Sequence, residues 1–93
     1  MTPEQRAHLF ETLSEENPEA LLLDGFEDAL VGIARRCAQP SLAVYNVDLI
    51  LKTLVERDGL DWEEAVEHLE FNIAGAWLGE HTPILLWDSA ALD

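Results

Sequence analysis

Hydrophobic and polar positions change their period along the chain, and each change marks an element. Ala7, Leu9, Phe10 and Leu13 recur at helical spacing behind Thr2-Pro3-Glu4-Gln5. Thr2 reads as an N-cap, Pro3 as the first helical residue, and Gln5 closes a capping box. This first helix is expected to end around Ser14 to Asn17, because Pro18 disfavours helical backbone in the residue before it. Glu19 to Leu23 is a short apolar run ending at the turn signal Asp24-Gly25. Periodicity does not decide between strand and helical turn there.

Residues 29–36 and 41–46 alternate as two strands of a hairpin. Val31 and Ile33 share one face with Leu30 on the other, and Leu42 and Val44 share a face in the second strand. Cys37 to Pro40 form the connecting loop, with Pro40 limiting ladder donation at the strand start. Gly32 marks a bulge or a close backbone approach. From Val47 the period becomes helical: Val47, Ile50, Leu51, Leu54 and Val55 lie opposite Asp48, Lys52 and Glu56. Asn46 is the expected N-cap and Gly59 the stop.

Asp61-Trp-Glu-Glu64 then opens the strongest helical pattern, with Asp61 as N-cap and Glu64 in the capping-box position. Its apolar stripe is expected to run through Trp62, Ala65, Val66, Leu69, Ile73, Ala76 and Trp77 to a stop at Gly79. Thr82 to Trp87 reads as a last strand, and residues 88–93 as a fraying tail. The fold class is therefore α+β, a single domain over residues 1–93. A small antiparallel sheet, made of the hairpin and the C-terminal strand, packs with about three helices.

Charge adds a second layer. Nineteen of 93 residues are Asp or Glu against five Lys or Arg, giving a net charge of −14, yet residues 29–47 contain no acid. Hydrophobic content of 48% separates this chain from a disordered acidic tail. The acid-free hairpin implies that more than one of its faces is covered, by helices or by a second copy. Binding to duplex DNA or an anionic membrane is disfavoured, and a basic partner is steered in from a distance. Lys52 is the sole lysine beside four arginines, a bias that a salt-adapted or GC-rich host would also produce.

Cys37 is the only cysteine, so no intrachain disulfide forms. The N-terminal residues lack the pattern of a signal peptide, no run is long enough to span a membrane, and cytosol is the default location.

Glu63, Glu67 and Glu70 recur at i, i+4 and i+7 with Glu64 adjacent, an acidic ridge opposite the stripe. Such carboxylates lie about 5 to 6 Å apart and can imitate a row of DNA phosphates for a basic groove. The plainer alternative is a solvated helix face, although no lysine sits at i+4 to relieve the like-charge neighbours. Glu64, His68 and His81 are the only candidates for a metal-dependent hydrolase, and their spacing matches no zinc motif. No metal, cofactor or catalytic residue is expected. Arg35-Arg36 is expected to form internal salt bridges, to Glu27 or Asp28. Trp62 and Trp77 are expected in the core, and Trp87 is either core or an interface anchor.

The run from Leu23 to Arg36, then Ala43-Val-Tyr-Asn46, Arg57 to Ala65, Glu70 to Ala76 and Gly79-Glu-His-Thr-Pro83, resembles a family of short acidic proteins encoded by tailed phages and prophages. The resemblance covers residues 20 to 84 and implies a phage or mobile-element setting; it carries over no activity and no catalytic residues. Glu70, Asn72, Glu80 and Thr82 coincide with the shared pattern, either as a site or as a tie between the last helix and last strand.

Three functions follow as expectations. The first is a non-enzymatic inhibitor whose acids, Glu63, Glu64, Glu67, Glu70 and Glu80, bind a basic nucleic-acid-binding protein in the host cytoplasm, as anti-CRISPR and anti-restriction DNA mimics do. The second is an adaptor that homodimerises through the apolar hairpin. The third is the metal-binding hydrolase.

Overall fold

In the computed structural model, which describes residues 1–88, the order is α1 (Pro3–Glu16), a 3-10 turn (Glu27–Ala29), β1 (Leu30–Ala34), β2 (Leu42–Asn46), α2 (Val47–Asp58), α3 (Trp62–His68), a π-helical segment (Leu69–Ala74) and β3 (Ile84–Leu86). The class is α+β. The helix starts follow the caps: Thr2 accepts from the Gln5 amide while the Gln5 side chain accepts from Thr2, and Asp61 and Glu64 make the same reciprocal pair. α1 stops at Asn17, whose backbone is extended ahead of Pro18. Its apolar side is narrower than expected: Leu13 is buried and Leu9 half-buried, while Phe10 is 46% exposed. Glu19 to Leu23 forms neither a strand nor a helix.

β1 and β2 pair antiparallel, and the register slips between Leu30 and Gly32, leaving Val31 as the extra residue of a bulge. The bulge shifts the alternation by one residue, so Leu30 shares the face of Ile33 and not the opposite one expected from the sequence. Leu30, Ile33, Ala43 and Tyr45 face inward, and Gly32, Ala34, Leu42 and Val44 face outward. The core is therefore built on Ala43 and Tyr45 of β2, with Leu13, Phe26, Ile50, Leu54, Ala65 and Leu69 packed around them.

Asn46 ends β2 and caps α2, accepting from the Leu49 amide at 3.0 Å, so strand passes into helix without a loop. Gly59 closes α2 in the left-handed region at φ 71°.

Two expectations fail here. β3 pairs parallel, not antiparallel, with β2, so the sheet is mixed, in the order β1-β2-β3. The crossover through α2, α3 and the π-helical segment returns the chain in the direction it left, which is how parallel neighbours are connected. The last helix also does not continue to Gly79. It is α-helical only to His68, then widens into the π-helical segment closed by the Gly75 amide on the Glu70 carbonyl at 3.1 Å. The wider turn breaks the 3.6-residue phase. Ala65 and Leu69 are buried, Val66 and Ile73 are half-buried, and Trp77 is thrown out to 75% exposure.

The strand expected from Thr82 shortens to Ile84–Leu86. Asp88 is held where the fraying tail was expected to begin, its carboxylate accepting from the Asn46 amide nitrogen at 2.8 Å. The remainder of that tail, residues 89–93, lies outside the described residues.

Candidate partner-binding surface

α3 is short, and its seven residues divide sharply. Ala65 faces the core, and Glu63, Glu64, Glu67 and His68 face outward. Glu63 and Glu67 are one turn apart on the same side. Glu64 is partly committed, because its Oε1 accepts from the Asp61 amide at 3.1 Å. Glu70 falls in the π-helical segment, whose wider turn rotates it off the line of Glu63 and Glu67. The straight four-acid ridge is therefore bent. Glu80 is exposed but stands apart, in the turn before β3.

The cations do not reach this surface. Arg6 pairs with Asp28 (3.6 Å), Arg35 with Glu16 (3.7 Å), Lys52 with Asp48 (3.4 Å) and Arg57 with Asp58 (2.9 Å). Arg35 thus pairs with Glu16, and Arg6 takes the Asp28 partner expected for the arginine pair. The hairpin directs residue 35 toward the end of α1 instead. Among the described residues no ion pair involves Glu63, Glu64, Glu67 or Glu70.

Two aromatic side chains flank the acids, and the hydropathy pattern did not assign them to a surface. Trp62 is 51% exposed and Phe71 79% exposed. Trp62 occupies the first helical position, ahead of the turn that is buried, so it faces solvent despite fitting the stripe. Together with Asp61, Glu63, Glu64, Val66 and Glu67 it lines a shallow hollow of about 420 Å³. Apolar rings bordered by carboxylates form a surface that can desolvate against a partner while presenting charge at its rim.

The remaining candidates resolve differently. Among the described residues no three His, Cys, Asp or Glu side chains gather as a metal site, so Glu64, His68 and His81 make no such group. The Asn72 amide lies 3.4 Å from Nδ1 of His68, while Nε2 of His81 lies 3.0 Å from the Glu19 carboxylate. Thr82 accepts from the Leu78 amide at 2.9 Å and donates to the Gly79 carbonyl at 2.7 Å, securing the turn at Gly79, where φ is 102°. Glu70, Asn72, Glu80 and Thr82 share no hydrogen bond among the described residues. Cys37 is exposed in the hairpin loop.

Burial pushes the Tyr45 phenol above its ordinary range, against the Leu23 amide that donates to its oxygen at 3.0 Å. The Arg57 hydrogen bond holds the Asp58 carboxyl below its usual range. No described helix is long and apolar enough to cross a membrane. No protein-family model matches the chain, and no curated protein or solved structure matches it.

Proposed function

We propose that this protein is a non-enzymatic binding module that presses the acidic face of α3 onto a basic, nucleic-acid-binding surface of another protein. The observation carrying this reading is the set of exposed carboxylates at Glu63, Glu67 and Glu70, left without cations and interleaved with exposed Trp62 and Phe71. Glu63 and Glu67, one helical turn apart at about 6 Å, match the scale of successive phosphates. Glu70 in the π-helical segment adds a carboxylate off that line, so a groove that binds nucleic acid meets a comparable cluster of charge. Long-range attraction from the net charge of −14 speeds the encounter. The aromatic rings then supply the apolar anchoring that charge alone does not give.

The resemblance to phage-encoded acidic proteins supplies the setting. A phage-type inhibitor of a host defence complex, of the anti-CRISPR or anti-restriction kind, acts in the host cytoplasm by competing with DNA. Capture of a nucleic-acid-binding protein from host lysate tests this, with duplex DNA added as competitor and salt raised in steps. Mimicry requires that DNA displace the captured protein and that salt weaken capture steeply. Capture indifferent to both would reject it.

A further inference from the structure

The outward face of the sheet is a second surface, independent of α3. Gly32, Ala34, Leu42, Val44 and Ile84 lie on it, and none is charged. A Cβ placed on Gly32 would meet nothing within 4 Å, Leu42 and Val44 are half-exposed, and Ile84 and Leu86 are exposed. The expectation that the acid-free hairpin is covered on both faces is met within the described chain on the inner face alone. A groove of about 640 Å³ runs over the outer face between Arg36, Leu42, Trp77, Glu80 and Ile84. Arg36 is the one Lys or Arg with no acidic partner within 4.0 Å among the described residues.

We infer that this face pairs with a second copy of the chain, sheet against sheet about a two-fold axis. Two features favour a copy over another partner. A copy brings the same apolar patch of Ala34, Leu42, Val44 and Ile84, so the centre of the contact sets no charge against charge despite the net −14 on each chain. The Asp88 carboxylate, held by Asn46, lies toward the far end of the sheet. The rims are also self-complementary. Arg36 follows β1 at one edge of the sheet, and Glu80 precedes β3 at the other. A two-fold axis lying between the edges sets each Arg36 opposite Glu80 of the second copy, and an isologous contact makes that pair twice. Trp77, exposed beside the groove, provides the apolar anchor.

The contact is small. Two strands of five residues and one of three, spaced about 4.8 Å apart, offer only a few hundred Å² per copy. Stable complexes bury about 800 Å² per partner, so the dimer is weak and concentration-dependent. Repulsion between the two acidic bodies opposes it, and added salt strengthens it. Capture through α3 weakens with salt, so the two proposals fail separately.

Sedimentation equilibrium of the full chain over a range of concentrations, at low and high salt, is the test. The expected result is a mass moving from one chain toward two, more readily at high salt. Arg36→Glu and Glu80→Arg should each weaken association by about tenfold, since each change breaks two rim pairs and sets like charges together. Glu80→Arg lowers the net charge, so its weakening effect cannot come from general repulsion. The double exchange should restore association to near the original strength. Both sites are exposed, and circular dichroism checks that the variants fold. A single mass at every concentration would overturn the inference. So would a dimer that ignores either single change, or one that the double exchange does not restore.

Discussion

The side-chain amide nitrogen of Asn17 lies 3.0 Å from Nδ1 of His81, a contact spanning 64 positions of sequence. The same nitrogen donates to the Ser41 carbonyl at 2.8 Å, and the amide oxygen accepts from the Glu19 backbone at 3.1 Å. With the amide oriented this way, Nδ1 accepts and Nε2 carries the proton toward the Glu19 carboxylate at 3.0 Å. Ser41 extends the network, donating to Glu16 at 2.6 Å. One buried amide thus joins the end of α1, the start of β2 and the turn before β3.

Replacing Asn17 with Ala should therefore cost about 2 to 3 kcal/mol, because the buried Ser41 carbonyl and the Glu19 amide lose their partner together. Urea unfolding followed by circular dichroism measures it. A loss below about 0.5 kcal/mol would mean that water replaces the amide without penalty.

Tyr45 gives the chain an alkaline limit. Its phenol is held neutral by burial, so its folded pKa lies above the unfolded value of 10.0. The stability it contributes is fully present below the unfolded pKa and is lost as pH rises through the folded one. Thermal melts should fall from about pH 10 upward in the native chain. Tyr45→Phe should flatten that fall while costing about 1 kcal/mol at neutral pH, since the Leu23 amide loses its acceptor.

Gly25 has little freedom to vary. Its φ is +85°, and an added Cβ would come within 2.9 Å of Nη1 of Arg57. That guanidinium donates to the Gly25 carbonyl at 2.6 Å and sits 5.0 Å from the Phe26 ring centroid. Gly25→Ala should destabilise by about 1 to 2 kcal/mol through the left-handed backbone alone. Arg57→Ala should lower the melting temperature as well, and the double variant should lose less than the sum, because the arginine is part of what the new methyl strikes.

Charge density makes the fold salt-dependent. With a net charge of −14, raising ionic strength from about 10 to 150 mM shortens the screening length from roughly 30 to 8 Å and should raise the melting temperature. Melts in a salt series check this, and a flat series would show that the acids are too dispersed to repel.

How much of this could be read from the residues depends on the range of the interaction. Thr2, Asn46, Gly59 and Asp61 act over three or four positions, and their caps and stops are where the pattern put them. Trp77 was misplaced because a 3.6-residue stripe carries no sign of the π-helical turn, which depends on Gly75 reaching the Glu70 carbonyl. The direction of β3 was hidden for a related reason: two-residue alternation is the same in parallel and antiparallel strands, and only the crossover decides. Arg35 went to Glu16 because the hairpin's placement against α1 is a tertiary fact. At the candidate surface, Glu63 and Glu67 were legible from spacing. Trp62 was not, since a large aromatic ring on a helical stripe reads as core until its neighbours are placed, whereas Phe71 lies off the expected stripe and is exposed.

The most direct test of the α3 proposal is binding by a charge-reversed chain. Glu63, Glu67 and Glu70 are each changed to Lys, folding is verified by circular dichroism, and affinity for the DNA-displaceable protein captured by the native chain is measured at physiological salt. The account predicts a loss of at least about a hundredfold, the scale of three rim charges inverted against a basic groove. Retention of native affinity by the folded triple variant would contradict it.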